Sequence, residues 1–141
     1  MRSYLVVGNQ TLDSPLLIAA IVDRTTGEPA TFHVVVPATP VARALTWDED
    51  EARDVARERL DAMLLRLHKR TIEATGEIGA PDPIEAVEDA LRGRDIDEIL
   101  LSTLPPGISR WLGQDVPTRL KGSVLVPVVV LTEERSTIRV P

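Results

Sequence analysis

The chain has 141 residues, 43% hydrophobic and 27% charged, with a net charge of −6. That length supports a core burying roughly 70% of the unfolded chain's surface, and the negative charge disfavours nucleic-acid phosphates as partners. The absence of cysteine excludes disulfides, thiolate nucleophiles and zinc–thiolate centres within these residues.

Residues 3–7, Ser-Tyr-Leu-Val-Val, form an apolar run ended by Gly8. This predicts a first strand buried on both faces. The run is too short for a secretory leader, and no small-residue cleavage pattern follows it. No stretch approaches the ~18 apolar residues that a membrane span needs. The expectation is a cytoplasmic protein folded as one α/β domain over residues 1–141.

Asn9, Gln10 and Thr11 begin a polar loop. It ends at Asp13 or Ser14, either of which caps a helix opening on Pro15. Residues 16–22 are apolar nearly all round, which predicts a largely covered helix, and Gly27 with Pro29 ends the segment. Residues 31–36 are Val-rich and predict strand two. A second loop follows, carrying Thr39, Arg43 and Trp47.

Thr46 or Asp48 starts the longest helix, predicted to run to about Thr75 with Gly76 as its cap. Ala52, Val55, Ala56, Leu60, Met63, Leu64 and Leu67 recur at three- and four-residue steps and make one apolar stripe. The acidic residues 48–51 sit at its start and the basic residues 68–70 near its end, as the helix dipole prefers. That reading explains the acidic run better than a metal site does.

Residues 77–80 predict a short third strand. Asp82-Pro83 caps a third helix with Ile84, Val87 and Leu91 on one face, ended by Gly93. Strand four centres on residues 99–101. A broken helix is predicted over residues 108–121, interrupted near Pro117. Strand five runs from Val126 to Leu131, and the tail, residues 136–140, alternates polar and apolar residues like an edge strand. Alternating strands and helices argue for a parallel sheet covered on both faces, and right-handed crossovers make it doubly wound.

The end of the chain resembles the universal stress protein family. Asp97-Glu98-Ile99-Leu100-Leu101 stands where that family has a strand ending in an Ile-Val-Val-Gly-like run. Val126-Pro127-Val128-Val129-Val130 stands where it has an apolar strand opened by a Cys-Pro-Val-like tripeptide, and the intervening length fits without a gap. The resemblance implies a five-stranded parallel sheet of order 3-2-1-4-5, a three-layer α/β/α sandwich. It also implies ATP or AMP as ligand in some members, and a homodimer formed through the last strand.

The family's phosphate loop, Gly-x2-Gly-x9-Gly-Ser/Thr, is not kept. Its glycines fall on Leu101, Leu104 and Gln114, and its Ser/Thr on Asp115. A leucine side chain blocks the close backbone approach that glycine permits, and a carboxylate repels phosphate. Family members that bind ATP carry an Asp after strand one, where this chain has Gly8-Asn9-Gln10-Thr11. The chain reads as a divergent relative without the glycine-rich ATP motif, and its cofactor is not assignable from the residues.

The ligand-binding candidates are Asn9, Gln10 and Thr11 after strand one, Thr39 after strand two, and Ser102 and Thr103 after strand four. Gly107, Ser109 and Arg110 lie beyond Pro105-Pro106. In a doubly wound sheet the loops after adjacent strands face each other at the topological switch point. Amides and hydroxyls there both donate and accept, which suits a neutral polar or nucleoside ligand. The same groups also serve to satisfy loop backbone and cap helices. Arg110 and the free N–H groups of a helix start can hold an anion, or Arg110 can pair with Asp115.

Trp47 and Trp111 read as packing residues. His33, inside a strand, reads as a hydrogen-bonded core residue and His68 as solvated. No nucleophile–base pair is visible, which favours binding over catalysis. Two readings stay open. One is a small-ligand binder, with a nucleotide as the candidate class. The other is a ligand-free homodimeric interaction module paired through Val126 to Leu131 or the C-terminal tail.

Overall fold

The computed structural model describes residues 1–39, 49–104 and 115–132. Its elements in order are β1 (Arg2–Val7), α1 (Pro15–Thr25), β2 (Ala30–Pro37), α2 (Glu49–Lys69), β3 (Ala74–Gly79), α3 (Pro83–Leu91), β4 (Glu98–Thr103), α4 (Val116–Ser123) and β5 (Val128–Thr132). The five strands make one sheet of order β3-β2-β1-β4-β5. Every pairing is parallel, as the alternation of elements predicted.

Side chains alternate across the sheet, so each strand feeds two cores. Tyr4, Val6, Phe32, Val34, Val36 and Leu100 face one side and pack with Leu17 and Ile21 of α1 and Leu60, Met63 and Leu67 of α2. Leu5, Val7, Val35, Ile99 and Leu101 face the other and pack with Ala86, Val87 and Ala90 of α3 and Val116 and Leu120 of α4. Each fully buried Val, Leu, Ile or Met among them contributes about 1.5–3 kcal/mol. The chain's single tyrosine and single phenylalanine, Tyr4 and Phe32, are register partners and stack with centroids 5.1 Å apart. The Arg24 guanidinium lies 5.8 Å from the Tyr4 ring and pairs with Glu98 at 2.7 Å, which ties α1 to β4.

The two predicted proline-opened helices form as read. Ser14 Oγ accepts from the Leu16 amide at 3.2 Å and Asp82 Oδ1 from the Ile84 amide at 3.0 Å. Pro15 and Pro83 take first-turn positions where no amide donor is needed. Helix α1 is not largely covered, however. Only Leu17, Ile18 and Ile21 are buried, and Leu16 is exposed.

The long helix stops earlier than its pattern suggests. The Thr71 amide donates to His68 and the Ile72 amide to Leu67, both at 3.0 Å, which is the Schellman arrangement. Thr71 adopts the left-handed conformation (φ 61°) that this motif requires, and Ile72 is buried behind it. Gly76 is therefore not a cap. It lies inside β3, which begins at Ala74 rather than at residue 77.

Of the stripe on α2, Ala52, Ala56, Leu60, Met63 and Leu67 are buried, while Val55 and Leu64 are only partly so. Strand β5 starts at Val128, two residues later than predicted. Pro117 does not interrupt a helix. It sits in the first turn of α4, and residues 108–114 of the predicted broken helix lie outside the described residues, as does the tail. Among the described residues no helix is long and apolar enough to cross a membrane.

Candidate functional site

The carboxyl ends of β1, β2 and β4 meet at one edge of the sheet. After Val7 the chain turns sharply. The Leu12 amide donates to Asn9 and the Ser14 amide to Thr11, which folds residues 9–14 back under the sheet edge and into α1. Asn9, Thr11 and Ser14 are thereby buried at 5%, 2% and 2% exposure.

Asn9 reaches toward β2. Its Nδ2 donates to the Pro37 carbonyl at 2.8 Å and to Thr39 Oγ1 at 2.9 Å, and its Oδ1 accepts from Arg59 Nη1 of α2. Thr11 reaches toward β4, where its Oγ1 lies 2.6 Å from Ser102 Oγ. The crevice thus has an amide strut on one side and a hydroxyl pair on the other.

Both Nδ2 protons of Asn9 are used. The hydroxyl pair uses one proton between its two oxygens, so one donor and spare lone pairs remain for an incoming group. Among the described residues no buried side-chain nitrogen or oxygen lacks a partner.

No protein-family model matches the sequence, and no curated protein matches it. Solved structures do match. A universal stress protein family member from Burkholderia pseudomallei superposes with a TM-score of 0.61 at 19% identity, covering 92% of this chain and 94% of that one. A family member from Arabidopsis thaliana, in a structure with AMP bound, gives 0.64 at 9% identity over 96% and 94%. The universal stress protein from Archaeoglobus fulgidus gives 0.58 at 18% identity over 92% and 93%.

The chain has the universal stress protein fold. In this fold the switch point lies between β1 and β4, where the strand order reverses, and the structure sets Thr11 against Ser102 there. Of the residues predicted from sequence, Asn9, Thr11, Thr39 and Ser102 converge on the crevice. Gln10 is exposed on its outer lip. Thr103 does not join them, because its hydroxyl donates to Thr132 of β5 at 3.3 Å. Gly107, Ser109 and Arg110 lie outside the described residues, together with Arg43, Trp47 and Trp111.

Arg59 contacts the candidate site through Asn9, and sequence reading missed it. It sits next to Leu60 on the edge of the apolar stripe, and only the tertiary fold brings it to Asn9, 50 residues away. Among the described residues no cluster of three or more His, Asp or Glu side chains could hold a metal.

The opposite edge of this universal stress protein fold carries a second cleft, of about 300 Å³, lined by Thr31, His33, Thr75 and Arg94. His33 is buried at 7% exposure, as expected of a hydrogen-bonded core histidine. Its Nδ1 lies 2.6 Å from Thr75 Oγ1 and its Nε2 3.1 Å from Glu77 Oε2. Burial holds its pKa below the ordinary value; the Glu77 hydrogen bond opposes this and the nearby Arg94 charge adds to it.

The unfolded chain therefore takes up this proton more readily than the folded one. The stability that neutral His33 contributes is complete above its unfolded pKa of about 6.5 and is lost as pH falls below it. The urea midpoint should drop between about pH 7 and pH 5.5, above the range of ordinary carboxylates, and His33→Gln should flatten that drop. An equally steep profile in the variant would assign the effect to other groups.

Proposed function

We propose that this chain binds a small ligand, a nucleotide or nucleoside, in the crevice formed after β1 and β4. The observation that carries this reading is the Thr11–Ser102 hydroxyl pair at 2.6 Å, with the Asn9 strut beside it. Two strands whose carboxyl ends converge at a switch point make the cleft that open α/β sheets use for ligands. The AMP in the Arabidopsis structure of the same fold supports the ligand class. Leu101 is fully buried in the core, and Leu104 and Asp115 replace glycine and Ser/Thr, so the usual backbone cradle for phosphates is not available here. Recognition falls instead to the amide and hydroxyl groups, which suit a base or ribose. This reading goes with a cytoplasmic protein that acts by binding rather than by catalysis.

A thermal-shift panel of adenosine, AMP, ADP, ATP and a cyclic nucleotide tests it. Ligand at a hundredfold its Kd adds about 2.7 kcal/mol of stability, so a binder raises Tm in a concentration-dependent way. No shift with any of them at millimolar concentration would refute the reading.

A second reading, a homodimeric interaction module, draws on β5. Its residues Val128, Val129, Val130 and Leu131 are all partly exposed, and among the described residues it pairs only with β4. An open, branched-apolar strand edge invites a second copy. Light scattering that finds a stable dimer, with no ligand shift, would favour this second reading.

A further inference from the structure

The cleft around His33 holds groups that the crevice does not use. Helix α3 ends at Leu91, and Gly93 turns the chain in the left-handed region (φ 77°). Arg94 follows the turn and lines the cleft. It is fixed by a hydrogen bond from its Nη1 to the Ala90 carbonyl at 2.9 Å. His33 of β2 and Thr75 of β3 are register partners, so their side chains leave one face of the sheet side by side. Glu77 lies two residues further along β3 and shares that face.

The three side chains form a directed chain. A carboxylate only accepts hydrogen bonds. The contact of Nε2 with Glu77 Oε2 at 3.1 Å therefore places the proton of the neutral ring on Nε2. Nδ1 is then the acceptor, and the Thr75 hydroxyl, 2.6 Å away, donates to it. Thr75 is exposed while His33 is buried, so the hydroxyl oxygen meets solvent and the base behind it is shielded. A hydroxyl bonded to a base that a third group orients is the arrangement that activates serine and threonine. Thr75 and His33 lie 42 residues apart, which hid the pair from the sequence.

We propose that Thr75, His33 and Glu77 form an acyl-transfer site that hydrolyses a small carboxylic ester, independently of what the crevice binds. Thr75 Oγ1 attacks the ester carbonyl carbon, and its proton passes to His33 Nδ1. The bond from that carbon to the alcohol oxygen breaks, and the alcohol leaves with the proton from Nδ1. Water then attacks the acyl-threonine carbonyl and gives a proton to Nδ1. The carboxylic acid departs, and that proton returns to Thr75 Oγ1. Arg94 has N–H donors beyond the one given to Ala90, which suits the oxyanion formed at each attack. Glu77 is a positioning residue that holds the ring tautomer. Glu73 and Asp95 also line the cleft, and its volume of about 300 Å³ admits a short acyl group.

Hydrolysis of p-nitrophenyl acetate tests this on the parent, Thr75→Ala, Thr75→Ser and Glu77→Gln, with mass spectrometry of acid-quenched samples. The parent should release p-nitrophenol faster than buffer does and carry an acetyl group on Thr75. Thr75→Ala should lose about a hundredfold or more, since a positioned base without its nucleophile has no proton to take. Thr75→Ser should retain turnover. Thr75 is exposed, so neither substitution disturbs the core. The parent's rate should fall as pH drops below the His33 pKa, because the imidazolium cannot accept a proton. The Glu77 hydrogen bond raises that pKa, and Arg94, the other charge acting on the ring, lowers it. Glu77→Gln should therefore move the fall to lower pH, a change that loss of packing alone would not produce.

Hydrolysis by Thr75→Ala equal to that of the parent would overturn the proposal. Acetyl groups confined to lysine and the amino terminus would overturn it too.

Discussion

Gly79→Val should destabilise the fold by about 3 kcal/mol. Gly79 ends β3 on the side covered by α3. A Cβ built there would lie 2.6 Å from Ala86 Cβ and 3.2 Å from Val35 Cγ1. Ala86 is completely buried, and its Cβ is fixed to the helix backbone, so no rotamer change relieves the contact. The helix itself has to lift, and it carries Val87 and Ala90 out of the second core with it. Overpacking of this kind typically costs 1–3 kcal/mol, and valine adds two further methyl groups.

For a chain of this size the Tm should fall by roughly 10 °C. Gly79→Ala should show a smaller loss in the same direction. Pairing it with Ala86→Gly should restore part of that loss, less the ~1 kcal/mol that glycine costs inside a helix. A Gly79→Ala protein as stable as its parent would mean that β3 and α3 are not in contact there.

Asn9→Ala should cost about 2–3 kcal/mol and abolish binding of adenosine. One side chain here ties three elements: β1, through its own backbone, β2 through the Pro37 carbonyl and Thr39, and α2 through Arg59. Alanine removes one of the two donors to the buried Pro37 carbonyl, which keeps the Thr39 amide at 2.8 Å, together with the bonds to Thr39 Oγ1 and Arg59. Each lost hydrogen bond costs about 0.5–1.5 kcal/mol, and more for one to a charged group. Chemical denaturation measures the stability term, and calorimetry with adenosine measures the binding term. A variant that loses stability but keeps full adenosine affinity would reduce Asn9 to a structural strut.

The parts of this architecture that showed in the sequence are those where one local signal suffices. β1, β2 and β4 are continuous apolar runs because parallel strands in a covered sheet are buried on both faces. Ser14-Pro15 and Asp82-Pro83 announce helix starts because cap and proline act within one turn. Asn9, Thr11, Thr39 and Ser102 could be grouped in advance because strand order alone brings the loops after β1, β2 and β4 together.

What escaped depends on contacts remote in sequence or on a residue in an unusual role. Thr71 ends α2 in a conformation that glycine usually takes, so a search for glycine pointed to Gly76 instead. β3 reads Ala-Thr-Gly-Glu-Ile-Gly, with Thr75 exposed and the residues after it only partly buried, and so carries little apolar signal. Thr103 looked equivalent to Ser102, but alternation along β4 turns it toward Thr132. Arg59 reads as the polar flank of an amphipathic helix, and only the packing of α2 over the loop after β1 brings it to Asn9.

The sheet order also has a consequence for synthesis on the ribosome. β1 emerges first but occupies the centre, and its second neighbour is β4. The Ser3 amide finds its Asp97 partner 94 residues later. Until β4 has left the exit tunnel, β1 offers one open flank of backbone donors and acceptors, beside the already paired β2. Contacts this far apart in sequence form slowly, and the waiting edge is prone to wrong pairings. A nascent chain exposed outside the tunnel only as far as α3 should therefore depend on chaperones, whereas one exposed through β5 should not.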